Sequence, residues 1–373
     1  MSCGFAACTD DLSSPSPTTV DQASAAASSG VLTVKLGAII NTDAPTADQD
    51  QRLADLLIDV AATERPGAAI DIEVIPIDEV SDVDSAVSAL VERGVTVIAA
   101  LCDDASVPPI VAATAERGLL AITSCVTLPT PPLVPPSALF FDLSGMHDVA
   151  AAMVAWSVGQ EATSVATIRS NLIPDVEETC TQFEAEAANS GLSLDVSVTF
   201  TELVDDPETI INDAGPLLDD TDVIALCALA PTADDMVSAL RSAGHNQPVV
   251  LPWFADPQVW SDTTNDVYVV APASRYGDDP DQAVVDLFDM IDDSAQAADV
   301  VTADSIALLA AAAERAGSVG STRLAGALSG SETAVLSGNL VIGDDARPTG
   351  RTYRVIAVTD GQPSFEALVV APA

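Results

Sequence analysis

Short apolar strands alternate with periodic helices along most of the chain. Residues 32–40 open the series, and 70–77, 95–101 and 119–123 continue it, with helices of periodic Ala, Leu and Val between them. Nearly continuous apolar runs rich in β-branched residues are typical of parallel strands that helices cover on both faces. The pattern therefore predicts an α/β lobe in the first part of the chain.

A second series of the same kind follows. Strands begin at Val165, Leu194, Asp222 and Pro248, and each interval is long enough for one strand and one crossover helix. Between the two series lies a proline-rich stretch, residues 126–144, that we interpret as an inter-lobe crossover. Together the two series predict two doubly wound, Rossmann-like α/β lobes.

The lobes are not expected to be consecutive halves of the chain. Residues 1–30 are rich in Ser, Thr, Pro and Ala without apolar periodicity, which predicts a disordered N-terminal tether. The helices and the hairpin near the C-terminus cannot form a third core and must complete lobes begun earlier. We expect a first lobe of residues 31–143 plus about 275–325, and a second of residues 144–274 plus about 326–373.

Composition and charge exclude several classes of function. Of 373 residues, 48% are hydrophobic and the mean hydropathy is +0.33, which excludes disorder over the whole length. The chain has 56 acidic and 13 basic residues, a net charge of −43. Such a field repels phosphate backbones and anionic lipids, so nucleic-acid binding and electrostatic docking on membranes are disfavoured. No apolar run reaches the ~18 residues of a transmembrane helix.

Four cysteines in the body are candidates for two disulfides. Cys102 and Cys125 follow two consecutive predicted strands, whose ends lie at the same level of a parallel sheet. Cys180 lies early in a helix that should pack beside the strand ending in Cys227. The alternative is four separate buried thiols. One bridge per lobe would suit an exported protein, and the absence of CxxC spacing disfavours zinc and thioredoxin-like chemistry.

The N-terminus contains a candidate lipidation site. Phe5-Ala6-Ala7-Cys8 resembles the cleavage box of bacterial lipoproteins, in which small residues precede the cysteine that becomes lipidated. On that interpretation Cys8 anchors an extracytoplasmic protein to the cell membrane. The alternative is an ordinary disordered start.

Five stretches resemble one protein family. They are VKLGAI at 34–39, IPIDE at 75–79, GVTVI at 94–98, IALLA running to ERAG over 306–317, and YRV leading to DG over 353–361. In this order they resemble the branched-chain amino acid substrate-binding proteins of ABC transporters, a Leu/Ile/Val-binding type of extracytoplasmic protein.

The resemblance covers about residues 31–370. It implies the type I periplasmic binding protein fold, in which two lobes are joined by a three-crossing hinge and close around a ligand. It also implies that the protein captures an amino acid or similar small polar metabolite for the permease of an ABC importer. We expect a monomer with no cofactor. The alternative is a ligand sensor or interaction protein on the same fold whose amino-acid pocket has degenerated.

Ligands of open α/β sheets bind beyond the carboxyl ends of the strands, where helix N-termini point N–H groups at them. In the first lobe, the resemblance implies that small hydroxyl residues hold a ligand carboxylate, and Ser106, Ser124 and Thr127 are the nearest matches. Asp103 and Asp104 occupy places where the family has serine or glycine. They either face the ligand, which would then be cationic, or cap the following helix.

The second lobe contributes other candidates. The resemblance implies that Asp256 pairs with a ligand ammonium, the alternative being a turn aspartate. Trp253 forms either an apolar or cation–π wall or part of the core. Arg169 either clamps a carboxylate or pairs with a surface acid. Tyr276 is expected to line the cleft or the hinge.

Catalysis has little support in the sequence. The two histidines, His147 and His245, fall at a helix start and in a turn, and no phosphate loop, HExxH or GxSxG motif occurs. The aspartate pairs lack the alternating ligands and glycine of a calcium loop. We therefore expect a binding protein without a metal rather than an enzyme.

Overall fold

The computed structural model describes most of the chain after the predicted tether. The described residues are 31–63, 68–125, 139–172, 174–202, 204–291, 296–343 and 346–372. Three expectations fall outside them, namely the tether of residues 1–30, the lipidation of Cys8 and the ligand contact of Thr127. Within the described residues, no helix combines the length and apolarity that a membrane span requires.

Strands and helices alternate through most of the described chain. The strands are β1 Thr33–Asn41, β2 Ala69–Ile77, β3 Val97–Ala100, β4 Leu120–Thr123, β5 Phe140–Asp142, β6 Ser164–Ser170, β7 Ser193–Phe200, β8 Val223–Cys227, β9 Val249–Pro252, β10 Val267–Ala271, β11 Glu332–Val335, β12 Gly338–Ile342, β13 Pro348–Thr349, β14 Thr352–Thr359 and β15 Gln362–Val370. The helices are α1 Ala47–Ala62, α2 Val83–Glu92, α3 Val107–Arg117, α4 Met146–Gly159, α5 Pro174–Asn189, α6 Pro207–Leu218, α7 Ala230–Ser242, α8 Gln282–Ile291, α9 Ala297–Ala316 and α10 Ser321–Leu328.

The first sheet contains five parallel strands in the order β2-β1-β3-β4-β5. β3 and β4 are buried over their whole length, because α1 and α9 cover one face of the sheet while α2 and α3 cover the other. Gly37 in β1 allows α2 to approach closely, since a Cβ there would lie 2.7 Å from Leu90 Cδ1. The apolar runs of the sequence are thus explained by burial on two faces.

The second sheet has seven strands in the order β15-β14-β10-β9-β8-β6-β7. β14 runs antiparallel to β10 and β15, and the other neighbours are parallel. α4 and α5 pack on one face, whereas α6 and α7 pack on the other. The predicted pair of doubly wound α/β lobes is confirmed.

The C-terminal part of the chain returns to both lobes. α8, α9, α10 and the β12 residues Leu340 and Ile342 belong to the core of the first lobe, and β14 extends the second sheet. The return to the second lobe therefore lies between Ile342 and Thr352, later than the expected residue 326. The short strands β11–β13 form a small sheet of their own, which the sequence pattern did not reveal. We propose lobes of 32–143 with about 273–343 and 346–349, and 144–272 with 350–372.

Two disulfides join the two candidate cysteine pairs of the sequence. Cys102 is bonded to Cys125 with a Cα–Cα distance of 5.1 Å, and Cys180 to Cys227 with a distance of 5.9 Å. The first bridge links the loops after β3 and β4, and the second links α5 to the end of β8. Each bridge therefore fixes a chain segment at the carboxyl edge of one sheet.

Candidate functional site

A cavity of ≈ 360 Å³ lies at the carboxyl ends of the parallel strands of both sheets. Residues from both lobes line it: Thr46, Gln49, Cys102, Asp104, Cys125, Met146, Val176, Leu229, Ala230, Trp253, Phe254, Asp256, Pro257, Gln258, Ala271, Ala273, Arg275, Gln296, Ala297 and Ile356. The size is that of a small-metabolite site. This cavity is called the cleft below.

Helix N-termini surround the cleft. Its lining includes residues at or within the first turns of α1, α4, α5, α7 and α9. The free backbone N–H groups of a first turn and the helix dipole favour negative charge. The cleft can therefore accept a carboxylate even though the protein as a whole is strongly acidic.

The second lobe gives the cleft an aromatic wall and an acid. Trp253 and Phe254 follow β9 directly and pack edge to face with their ring centroids 5.9 Å apart. Asp256 accepts hydrogen bonds from the Tyr276 hydroxyl at 2.6 Å and from the backbone N–H of Gln258 at 2.9 Å. Burial raises the pKa of Asp256 above its ordinary value despite these bonds. The wall thus combines ring surfaces with a carboxylate fixed in one orientation.

A cation completes this wall. Arg275 lines the cleft, and its guanidinium carbon lies 5.9 Å from the centroid of the Tyr276 ring, within cation–π range. The charge of Arg275 opposes the rise in the pKa of Asp256. Burial and Asp256 together raise the pKa of Tyr276, so its hydroxyl stays protonated and donates to the carboxylate.

The first lobe contributes polar groups around its disulfide. Gln49 Nε2 donates to Oε1 of Gln296, the N-cap residue of α9, at 3.4 Å and lies 3.9 Å from Cys125 Sγ. Asp104 lines the cleft, and burial together with the neighbouring Asp103 raises its pKa. The charged residues of the lining are thus Asp104, Asp256 and Arg275, which carry a net charge of one negative unit when all are ionised.

Three first-lobe residues that the sequence predicted as ligand contacts have side chains that bond within the first lobe instead. Asp103 accepts hydrogen bonds from Asn41 Nδ2 at 3.0 Å and from the Ser106 hydroxyl, which organise the turn before α3. Ser124 Oγ lies 2.8 Å from Thr302 Oγ1 of α9. None of Asp103, Ser106 and Ser124 is among the cleft-lining residues. Asp103 also accepts the backbone N–H of Ala105 at 3.2 Å, so it orders the turn before α3 without capping the helix, and its side chain is buried.

Arg169 also lies away from the cleft lining. Its guanidinium donates to Thr199 and Thr181 hydroxyls at 3.2 and 3.1 Å and forms an ion pair with Glu184 at 3.5 Å. These partners belong to β7 and α5, on the outer part of the second sheet. Pairing with an acid, the alternative weighed from the sequence, therefore accounts for its contacts.

The structure brings together Trp253, Asp256 and Tyr276 of the predicted site residues and adds others. Arg275 and Phe254 were missed, although each is a sequence neighbour of a predicted residue. Gln49 and Gln296 were missed because they come from the starts of α1 and α9, distant in sequence from the loops that follow the strands. Helix-start signals at the first-lobe edge could have identified them.

Many solved structures have a similar architecture. An ABC transporter substrate-binding protein from Sphaerobacter thermophilus has a TM-score of 0.73 at 14% identity, over 91% of this chain and 98% of that chain. An ABC transporter solute-binding protein from Rhodopseudomonas palustris, in complex with p-hydroxybenzoic acid, has a TM-score of 0.70 at 18% identity, over 91% and 98%.

A third structure is the branched-chain amino acid transporter substrate-binding protein LivJ from Streptococcus pneumoniae in complex with isoleucine. Its TM-score is 0.65 at 17% identity, over 91% of this chain and 99% of that chain. No curated protein sequence matches the chain. At these identities the solved structures establish the type I periplasmic binding protein fold. The sequence model of the family described as "Periplasmic binding protein" matches residues 33–363, and the chain therefore belongs to the periplasmic binding protein family.

Proposed function

We propose that this protein captures an amino acid or a similar small polar metabolite in the cleft and delivers it to the permease of an ABC importer. The observation that carries the proposal is the composition of the cleft, in which two carboxylates and one guanidinium lie among apolar and aromatic surfaces contributed by both lobes. A ligand that contacts both lobes favours their closed arrangement, because only that arrangement makes all the contacts.

The charges of the cleft match a zwitterion. Asp256 and Asp104 offer carboxylates to an ammonium group, and their raised pKa values reflect burial that a cationic partner would offset. Arg275 and the surrounding helix N-termini offer positive partners to a carboxylate. The Trp253 and Phe254 rings provide an apolar surface for the rest of the ligand. A free α-amino acid carries all three features.

An aromatic carboxylate is the second candidate. The edge-to-face pair of Trp253 and Phe254 offers a ring surface, and Arg275 offers a carboxylate partner. One of the structurally similar proteins was solved with p-hydroxybenzoic acid and another with isoleucine, so the fold accommodates both classes. The two candidates differ in whether the acidic residues of the cleft are used.

A ligand panel with two cleft variants separates the candidates. The full chain is screened by thermal shift with the common amino acids, their amides, polyamines and hydroxybenzoates, and the hits are measured by calorimetry. Loss of one charge-assisted hydrogen bond costs about 1.5–3 kcal/mol. For an amino acid, Asp256→Asn and Arg275→Met should therefore each weaken binding at least about tenfold. For an aromatic acid, only Arg275→Met should do so.

Arg169→Met is the matched control, because Arg169 forms an ion pair and hydrogen bonds outside the cleft. It should leave ligand affinity unchanged. A panel in which no compound raises the melting temperature would contradict the proposal, since a ligand at about 100 times its Kd adds about 2.7 kcal/mol to stability. Equal losses in Arg169→Met and Arg275→Met would also contradict it.

We also propose that the chain acts as a monomer outside the cytoplasm, anchored through a lipid on Cys8. Support comes from membership of the periplasmic binding protein family and from the small residues before Cys8. Mass spectrometry of the N-terminal peptide from membranes of the native host tests the anchor. A diacylglyceryl adduct on Cys8 is expected, and an unmodified Cys8 would refute it.

A further inference from the structure

Within the described residues, three chain segments connect the two proposed lobes: 143–145, 272–281 and 350–351. Two arginines lie where the third crossing enters β14. Arg351 and Arg354 are 1% and 3% exposed. A guanidinium buried to this degree must be paired with carboxylates or carbonyl groups, because an uncompensated buried charge is strongly destabilising. Their partners come from the other two crossings and from the first lobe.

Arg354 is paired with the second crossing. Its Nε and Nη2 donate to the two carboxylate oxygens of Asp279 at 3.0 and 3.1 Å, and its Nη1 donates to the carbonyl oxygen of Ser337 at 2.6 Å. Asp279 also accepts the backbone N–H groups of Ser274 and Asp281 at 2.7 and 2.9 Å. A second-lobe strand, the second crossing and a first-lobe loop are thereby joined at one guanidinium.

Arg351 is paired with the first crossing. Its Nη2 donates to the carbonyl oxygen of Leu143 at 3.3 Å, and its Nη1 lies 3.8 Å from Asp304 Oδ2 in α9. Its backbone N–H donates to Asp148 Oδ2 at 3.2 Å. Between them, these contacts connect the third crossing to the first crossing, to the start of α4 and to the first-lobe core.

Two further residues, Ser337 and Tyr353, connect the contacts of Arg354 with those of Arg351. Ser337, whose carbonyl binds Arg354, donates its own N–H and hydroxyl to Asp304 at 3.2 and 2.5 Å. Tyr353, which lies between the two arginines in the sequence, is fully buried. Its hydroxyl donates to the Gly145 carbonyl oxygen at 3.0 Å. Gly145 has a φ of 73° and no Cβ, and an added Cβ would lie 2.8 Å from that hydroxyl. All three crossings therefore belong to one buried polar network.

We propose that Arg351 and Arg354 are positioning residues that hold the three crossings in one arrangement and so set how far the lobes of the unliganded protein separate. Hinge motions are absorbed by a few residues in such connections, so bonds that tie the connections together restrict the motion. The effect on ligand affinity rests on the proposed function, because affinity falls with the fraction of molecules in the binding-competent arrangement. The effect on lobe separation does not rest on it.

The test compares Arg354→Lys and Arg354→Met with the same substitutions at Arg241. Arg241 is a fitting control because it also binds carbonyl oxygens, those of His245 and Asn265 at 2.8 and 2.9 Å, but all within the second lobe. Lysine keeps the charge and loses the two-pronged contact with Asp279, whereas methionine loses both. The readouts are small-angle X-ray scattering of the unliganded full chain and melting temperature.

We expect Arg354→Met to increase the radius of gyration and broaden the distance distribution, Arg354→Lys to restore part of the wild-type profile, and both Arg241 variants to match the wild type in scattering. With whichever of L-isoleucine and 4-hydroxybenzoate binds the wild type, Arg354→Met should weaken binding about tenfold. Wild-type scattering for Arg354→Met, or equal broadening in Arg241→Met, would overturn the proposal. Absence of ligand binding by the wild type would count against the proposed function and leave the scattering test intact.

Tyr353→Phe keeps the proposal testable if Arg354→Met fails to fold, because it removes one hydroxyl and conserves the ring. It should speed hydrogen exchange in residues 143–149 relative to the rest of α4 and shift the scattering in the same direction as Arg354→Lys. Unchanged exchange and unchanged scattering in Tyr353→Phe would overturn the proposal.

Discussion

Removing each disulfide separately should destabilise the protein by an amount that follows the length of the loop it closes. Cys102–Cys125 spans 23 residues and Cys180–Cys227 spans 47. In the chain-entropy treatment, these loops restrict the unfolded chain by amounts worth about 3.4 and about 4.0 kcal/mol at 25 °C. Those values are a large part of the usual stability of a folded protein, about 5–15 kcal/mol. Double replacement by alanine at either bridge should therefore lower stability markedly, and slightly more for Cys180–Cys227.

The assay is urea unfolding of the two double variants, Cys102→Ala/Cys125→Ala and Cys180→Ala/Cys227→Ala, beside the oxidised wild type. The midpoints should fall, and the m-values should rise because an unbridged unfolded chain exposes more surface. A loss below about 1 kcal/mol for either variant would contradict loop closure as the source of the stabilisation, since the bridge would then not restrict the unfolded chain as its loop length requires. A clearly larger loss for the shorter loop would show that local packing, rather than loop closure, sets the effect.

Other predictions concern pH and the hinge. Burial raises the pKa of Asp50 and of Asp148 to about 6, from 3.8 in the unfolded chain. The folded state thus binds these protons more tightly than the unfolded chain does. Each protonated group therefore stabilises the fold by about 3 kcal/mol below the unfolded pKa, and this stabilisation is lost as the pH rises through about 6. Urea unfolding should show higher stability at pH 5 than at pH 7, and Asp148→Asn should flatten that difference; stability that increases from pH 5 to pH 7 would contradict this. Gly145→Ala should cost at least about 1 kcal/mol, measured by urea unfolding, because alanine is strained at a φ of 73° and its Cβ would meet the Tyr353 hydroxyl. An unchanged midpoint would refute that account of Gly145.

The layered fold was predictable from the sequence because burial on both faces leaves a strong mark. β3 and β4 are buried at every position, and all of their residues except Thr123 are apolar. The late return of the chain to the second lobe was not predictable. Leu340 and Ile342 lie in a short strand whose apolar positions fit either core, and their packing against the first lobe depends on tertiary contacts alone.

The site was predictable only in part, for a similar reason. Trp253 and Asp256 follow a buried strand of the second lobe, so topology alone placed them at the cleft. Asp103 follows β3 in the same way, but its side chain turns back to Asn41 and Ser106. Position along the chain identifies the loop at the carboxyl edge of a sheet. The direction of each side chain is set by hydrogen bonds to partners distant in sequence.

The net charge of −43 carries less information about the ligand than the few residues that line the cleft. Asp103 is satisfied within the first lobe, which leaves Asp104 and Asp256 as the acids of the cleft, with Arg275 as their counterpart. These three residues, rather than the net charge, are the charged groups that a ligand in the cleft would meet.

Tryptophan fluorescence tests directly whether the ligand binds in the cleft between the lobes. Of the three tryptophans, Trp253 lines the cleft, whereas Trp156 and Trp260 are 5% and 4% exposed and belong to second-lobe cores. Titration of the Trp156→Phe/Trp260→Phe variant with a ligand from the panel should give a saturable change with the affinity found by calorimetry. If that variant shows no change at ligand concentrations that saturate binding in calorimetry, the ligand binds elsewhere and the account is wrong.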